Sequence, residues 1–272
     1  MNIKEALVWA RVELQYACER PLFEAEILLS YHLGIDRVQL KIRDQDIVDR
    51  LDVYKGLVAR RAFHEPMEYI THSVSFYDIE LYIAQGALIP RPETEVLIDR
   101  CISMIEKYNI SSIAEIGVGS GAISIVLARR FPHLCIVASD ISTDALSIAK
   151  VNIAEFGLTD RIELRHTSLL DGIESDIEMI VSNPPYIPLG KPLAPNVAEY
   201  EPHSALYSLE SGDELLKSII TLTVDRGIRY LACEMGYDQR SSMSEYLSHA
   251  GASTVEFYED LAGLDRGFVV EW

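Results

Sequence analysis

Asn183-Pro184-Pro185-Tyr186 combines residue types suited to one kind of chemistry. A planar nitrogen, in a carboxamide or an exocyclic base amine, is a poor nucleophile until acceptors draw its two N–H groups and position its lone pair. Asn183 offers a side-chain carbonyl oxygen for one hydrogen and Pro184 a backbone carbonyl for the other. Two consecutive prolines fix φ and present no competing N–H donors, and Tyr186 can lie against the flat group. A plain turn uses the same residues, because Asn-Pro and Pro-Pro are common punctuation. Taken alone, the tetrapeptide leaves these readings about even.

The acidic, β-branched run Asp176 to Val181 precedes it and reads as a buried strand, so Asn183 stands where that strand leaves a sheet. In an open α/β sheet that edge binds ligands. A second candidate lies upstream, where Gly117, Gly119 and Gly121 connect a strand (111–116) to a helix (122–130). They let backbone pass close to a ligand at a helix N-terminus. With Ala122 they match a dinucleotide-binding pattern, and Asp140, about 20 residues on, stands where an acid would accept ribose hydroxyls. The loop therefore points to an adenosine-containing cofactor. Glu115 is awkward for a pyrophosphate and suits the amino group and sulfonium of S-adenosylmethionine, so methyl transfer is favoured over hydride transfer.

The elements that must position these residues alternate strand and helix. Strands are expected at 111–116, 134–139, 162–165, 177–181, 229–233, 254–258 and 268–272, with helices after the first, second, fourth and fifth. That order implies a doubly wound, mostly parallel sheet whose final pair forms an antiparallel hairpin at one edge. Residues 1–71 read as helices: one from Ile3 capped by Asn2, one from Pro21 to Leu33 ended by Gly34, and one over 48–61. Residues 72–90 change to period two and read as a hairpin linker, leaving 91–272 as the catalytic domain. Pro92, Glu93 and Glu95 are explained by a helix start, which leaves Arg91 without a role.

Composition narrows the function classes. The net charge is −18, and residues 1–71 hold 10 basic and 12 acidic side chains, so most of the excess lies beyond them. A catalytic half this acidic repels phosphate backbones, which disfavours a DNA substrate and direct nucleic-acid binding. No apolar run is long enough to span a bilayer and no signal-peptide pattern opens the chain, so a cytoplasmic protein is expected. Cys18, Cys101, Cys135 and Cys233 lack paired spacing, arguing against a zinc site or disulfide framework and for reduced core residues.

Taken together, the chain resembles the release-factor glutamine methyltransferases, the PrmC or HemK family. The resemblance runs through Pro66-Met67-Glu68-Tyr69-Ile70, the segment Ile89 to Glu95, the Gly loop Glu115 to Ala122, Asn183 to Ile187, Tyr200-Glu201-Pro202 and Ala262 to Arg266. The Arg-Pro-Glu-Thr-Glu run is the specific one; the Gly loop and Asn-Pro-Pro-Tyr are shared with other amino-methylating enzymes. It implies a Rossmann-like class I methyltransferase with a seven-stranded sheet and a small N-terminal helical domain that recognises substrate. S-adenosylmethionine would sit on Gly117 to Gly121 with Glu115, Asp140 and Asn183. Asn183, Pro184 and Tyr186 would act in catalysis, with Pro185, Arg91 and Glu93 at the substrate. The acceptor would be the glutamine of the Gly-Gly-Gln loop of peptide-chain release factors. After the third strand, His166 to Leu170 lacks the acid or Trp that the resemblance implies beside the adenine, at Ser168. A ribosomal-protein glutamine methyltransferase is the nearest alternative. A base-amine DNA methyltransferase and a cofactor-binding interaction protein without catalysis are more distant ones.

Overall fold

A computed structural model describes residues 1–272, and no helix in it is long and apolar enough to cross a membrane. The chain divides into two compact units, residues 1–73 with 193–200, and 74–192 with 201–272.

The first unit holds α1 (Ile3–Glu13), α2 (Pro21–Leu33), α3 (Arg37–Ile42), α4 (Leu51–Ala62) and α5 (Met67–Thr71). Asn2 caps α1 through a reciprocal pair with Glu5, its Oδ1 accepting Glu5 N at 2.8 Å while Glu5 Oε2 accepts Asn2 N at 3.0 Å. Gly34 ends α2 in the left-handed region, where a side chain would be strained. The buried side is Ile3, Ala6, Ala10 and Leu14 against Leu28, Leu29, Tyr54 and Val58. The third long helix begins at Leu51 instead of 48, because Asp49 and Arg50 form a turn with Arg50 at φ 44°. Tyr200 also belongs to this unit, its hydroxyl donating to the Phe63 carbonyl at 2.7 Å. A division by sequence order does not anticipate that return of residues 193–200.

The second unit opens with the hairpin β1 (Ser73–Phe76) and β2 (Ile79–Tyr82), turning at Tyr77-Asp78, and continues as α6 (Thr94–Tyr108), β3 (Ser112–Ile116), α7 (Ala122–Arg130), β4 (Cys135–Asp140), α8 (Thr143–Glu155), β5 (Ile162–His166) and β6 (Met179–Ser182). The short α9 (Pro195–Ala198) lies in the returning piece of the first unit. Then come α10 (His203–Leu206), α11 (Glu214–Asp225), β7 (Tyr230–Glu234), α12 (Arg240–His249), β8 (Thr254–Glu259) and β9 (Asp265–Glu271).

Seven strands form one sheet in the order β5-β4-β3-β6-β7-β9-β8, parallel except for β9, which is antiparallel to both neighbours. The final strand thus lies inside the sheet and β8 takes the edge. The order reverses between β3 and β6, so their C-terminal ends diverge around a crevice. Alternation assigns the faces. Ala114, Ile116, Leu231, Cys233 and Phe268 pack with Leu216, Ile219 and Ile220 of α11 and with Met243 and Leu247 of α12. Glu115 and Glu234 point the other way, towards α7 and α6. Tyr258 Oη crosses β9 to the Cys233 carbonyl at 3.2 Å, over Gly267, where a Cβ would stand 2.2 Å from that hydroxyl oxygen. Glycine is required there.

Cys101 and Cys233 lie in the core, whereas Cys135 is exposed, correcting the expectation that all four are core residues. It begins β4, before the sheet is covered.

Candidate active site

A cavity of about 200 Å³ opens at the crevice between β3 and β6. Its walls come from strand ends: Glu115 to Ser120 after β3, Ser139 to Ser142 after β4, Thr167 to Leu169 after β5, and Asn183 and Pro185 after β6. Gly86 to Leu88, Pro90, Arg91 and Thr94 form a further wall, with Pro202, Ser204 and Ala205 beside it. Phe76 of the hairpin also faces it.

Gly117 and Gly119 have φ of +79° and +54°, and beyond their immediate chain neighbours no protein atom lies within 4 Å of where their Cβ atoms would be. These glycines therefore keep the turn in the left-handed region and leave space above it for a ligand. The turn is pinned from below: Gly117 N and Val118 N donate to the Ser139 carbonyl at 2.9 and 3.0 Å. Asp140 Oδ2 accepts Gly119 N at 3.0 Å and Oδ1 accepts Ser142 N at 2.9 Å. Each oxygen keeps a second lone pair for a ribose hydroxyl. Ser142 in turn caps α8, its Oγ accepting Ala145 N at 3.2 Å.

Glu115 lies in the cavity wall but is 1% exposed. Its Oε2 accepts Ser124 N at 3.0 Å and also the Ser124 hydroxyl, near the start of α7. Burial pushes the carboxyl up to about 8, against the two Ser124 bonds, which pull it down. One oxygen of the side chain expected to face a sulfonium is thus spent on the helix start.

Asn183 follows β6 and its Nδ2 donates to Thr94 Oγ1 at 3.0 Å. Thr94 opens α6 and donates its own hydrogen to Glu234 Oε2 at 2.7 Å, while Tyr186 Oη donates to Glu234 Oε1 at 3.0 Å. Glu234 is 1% exposed, and burial pushes its carboxyl up to about 7, opposed by the Thr94 and Tyr186 bonds and the Arg266 charge. Burial, then the Glu234 charge, holds the Tyr186 phenol well above its ordinary value. The Tyr186 carbonyl accepts Gln239 Nε2 at 3.1 Å, which fixes the loop after β6 to the one after β7.

Among the site residues expected from sequence, the structure brings Arg91, Glu115, Gly117, Gly119, Asp140, Asn183 and Pro185 to one cavity, and Ser168 with them. Gly121 starts α7 beneath it, with φ +86°. Pro184 is buried, and Pro184, Tyr186 and Glu93 stand outside the wall. Arg91 acquires a partner: its guanidinium pairs with Glu201, which is 3% exposed and also accepts Ile89 N at 3.1 Å. Thr94 and Glu234 escaped sequence reasoning. Thr94 was hidden inside a helix-start pattern, and Glu234 is one residue past the strand expected at 229–233. Its only signal was an acid at the C-terminal end of a strand, where site residues of such sheets gather.

Two family descriptions match the chain: the PrmC N-terminal domain over residues 5–71 and the Methyltransferase small domain over 94–219. The release factor glutamine methyltransferase of Dictyoglomus turgidum is 34% identical over 99% of this chain and 98% of its own. That of Clostridium acetobutylicum is 33% identical over 98% and 97%, and that of Neisseria gonorrhoeae 35% over 90% and 92%. Among solved structures, the N-terminal domain of human METTL16 in complex with SAH superposes with a TM-score of 0.54 at 17% identity, covering 70% of this chain and 75% of that one. That likeness shows a shared fold. A Gly-lined cavity at the switch point, a carboxylate at the next strand end, and identity of a third over nearly the full length agree: the chain belongs to the release factor glutamine methyltransferase family and is an S-adenosylmethionine-dependent methyltransferase.

Proposed function

We propose that this chain methylates the side-chain amide nitrogen of the glutamine in the Gly-Gly-Gln loop of a peptide-chain release factor, in the cytoplasm. The observation that carries this reading is the Asn183 amide: its nitrogen is engaged by Thr94, so its oxygen is the acceptor left for a substrate N–H.

When bound, S-adenosylmethionine supplies an electrophilic methyl carbon on a sulfonium. Gly117 and Gly119 would give it room and Asp140 would accept its ribose hydroxyls, with Glu115 and Ser168 along the same wall. On the substrate side, Asn183 Oδ1 and the Pro184 carbonyl would accept the two amide hydrogens and so orient the nitrogen lone pair for transfer. Pro185 lines the approach, and Tyr186, held by Glu234, keeps the Asn-Pro-Pro segment in place. Arg91, in the cavity wall, and Glu93, outside it, are assigned to the substrate side. The N–C bond would form as the methyl–sulfur bond breaks, with S-adenosylhomocysteine as leaving group, and the charge carried to nitrogen would then depart as a proton to water, so no strong base is needed before transfer. The rate comes from alignment and preorganised acceptors.

We assign substrate recognition to residues 1–71, the hairpin linker to 72–90 and catalysis to 91–272. Of the 18 net negative charges, 16 lie beyond residue 71, which argues against a phosphate backbone as substrate. The test is intact-mass and peptide-mapping mass spectrometry of purified release factor and of a ribosomal protein, each incubated with this chain and S-adenosylmethionine. One methyl on the Gly-Gly-Gln glutamine is expected. A methyl on the ribosomal protein alone would move the substrate and leave the chemistry.

A further inference from the structure

We infer that Glu234, through Thr94, is the positioning residue that sets which end of the Asn183 carboxamide faces the cavity. This rests on the reading of Asn183 Oδ1 as the acceptor for the substrate amide.

A carboxamide is nearly symmetric in shape, so packing alone does not choose between its oxygen and its nitrogen. Hydrogen bonding does. Thr94 has one hydroxyl hydrogen and gives it to Glu234 Oε2 at 2.7 Å. Towards Asn183, 3.0 Å away, Thr94 Oγ1 can then only accept, and Asn183 must turn its nitrogen to it. Tyr186 has one hydrogen as well and gives it to Glu234 Oε1 at 3.0 Å. An ionised Glu234 takes both hydrogens, so the polarity of the whole chain of bonds runs towards it. The chain connects α6, the loop after β6 and the end of β7, three segments distant in sequence.

A protonated Glu234 has a hydrogen of its own to place. If it gives that hydrogen to Thr94, the Thr94 hydrogen is released towards Asn183 and the amide is stable with its oxygen inward. The cavity would then meet a substrate NH₂ with a second NH₂. Other ionisable groups facing Glu234 are Glu93 before α6, Arg266 on β9, Tyr186 and Tyr258 on β8. Only Arg266 favours its ionised form by charge, and Glu93 opposes it. Burial dominates, bringing the ionisation to about 7.

The experiment is kcat against pH at saturating S-adenosylmethionine and release factor, after mass spectrometry has shown that the unaltered chain methylates the Gly-Gly-Gln glutamine. Absence of that methyl would refute the proposed function and is a separate outcome. Given activity, kcat of the unaltered chain should rise with pH through neutrality, and Glu234→Gln, which has no proton to lose there, should lack that rise. Thr94→Val should lower kcat about 100-fold, as expected for a misplaced reacting group. Thr94→Ser, which keeps the hydroxyl, should recover most of that loss. Far-UV circular dichroism and the urea midpoint of all three should match those of the unaltered chain, which verifies that they fold. A rise with pH that persists in Glu234→Gln, an undiminished kcat in Thr94→Val, or a Thr94→Ser as slow as Thr94→Val would each overturn the inference.

Discussion

Asp140 Oδ2 accepts the Gly119 N–H at 3.0 Å, joining the end of β4 to the glycine turn after β3. The carboxylate thus has two tasks, holding the turn and presenting lone pairs to a ribose. Asp140→Ala should weaken S-adenosylhomocysteine binding by about 1.5–3 kcal/mol, roughly 10- to 150-fold, as expected for loss of hydrogen bonds to a charged group. Isothermal titration calorimetry measures this directly, and an unchanged affinity would contradict both tasks.

Asn183→Ala removes an acceptor placed for the substrate amide, and its cost should fall on kcat more than on cofactor affinity. By analogy with loss of one preorganised polar group, kcat should fall about 100- to 1000-fold, or about 2.7–4 kcal/mol in the barrier. Single-turnover kinetics with bound cofactor separate this from a binding defect, and near-normal turnover would remove Asn183 from the chemistry.

Arg91 is paired with Glu201, whose side chain is 1% exposed and whose carboxylate also takes Ile89 N–H. Without the guanidinium that buried charge keeps one backbone donor. Loss of a fully buried pair costs more, but the Arg91 side chain is 34% exposed, so Arg91→Ala should destabilise the chain by only about 1–3 kcal/mol in urea unfolding. Because Pro90 and Arg91 line the cavity, KM for S-adenosylmethionine should rise as well.

Glu115 and Glu234 ionise in the folded chain at about 8 and about 7, against 4.5 for an ordinary glutamate. Above the ordinary value the unfolded chain has released protons that the folded chain still holds, so stability falls as pH rises. The contribution is complete below pH 4.5 and is lost by the time pH passes about 8. Urea midpoints measured across this window should decline, and Glu115→Gln, able to accept both Ser124 hydrogens, should decline less. Equal slopes for the two chains would show that Glu115 is not the group titrating.

The sequence by itself determined whatever depends on neighbours along the chain. Caps such as Asn2 and Ser142 act over three residues, the left-handed Gly34 ends its own helix, and period-two alternation marks the hairpin of β1 and β2. The glycine turn, Asp140 and Asn183 were legible for the same reason, each standing at a strand end that its own pattern defines. Pairing across the sheet decided the rest. Nothing near residue 265 says that β9 inserts between β7 and β8, and Glu201 as partner for Arg91 lies 110 positions away. Thr94, Asn183, Tyr186 and Glu234 meet only because β6 and β7 are adjacent and α6 covers that face. A hydroxyl acquires direction only from the group that takes its hydrogen, so the orientation of Asn183 belongs to the tertiary structure.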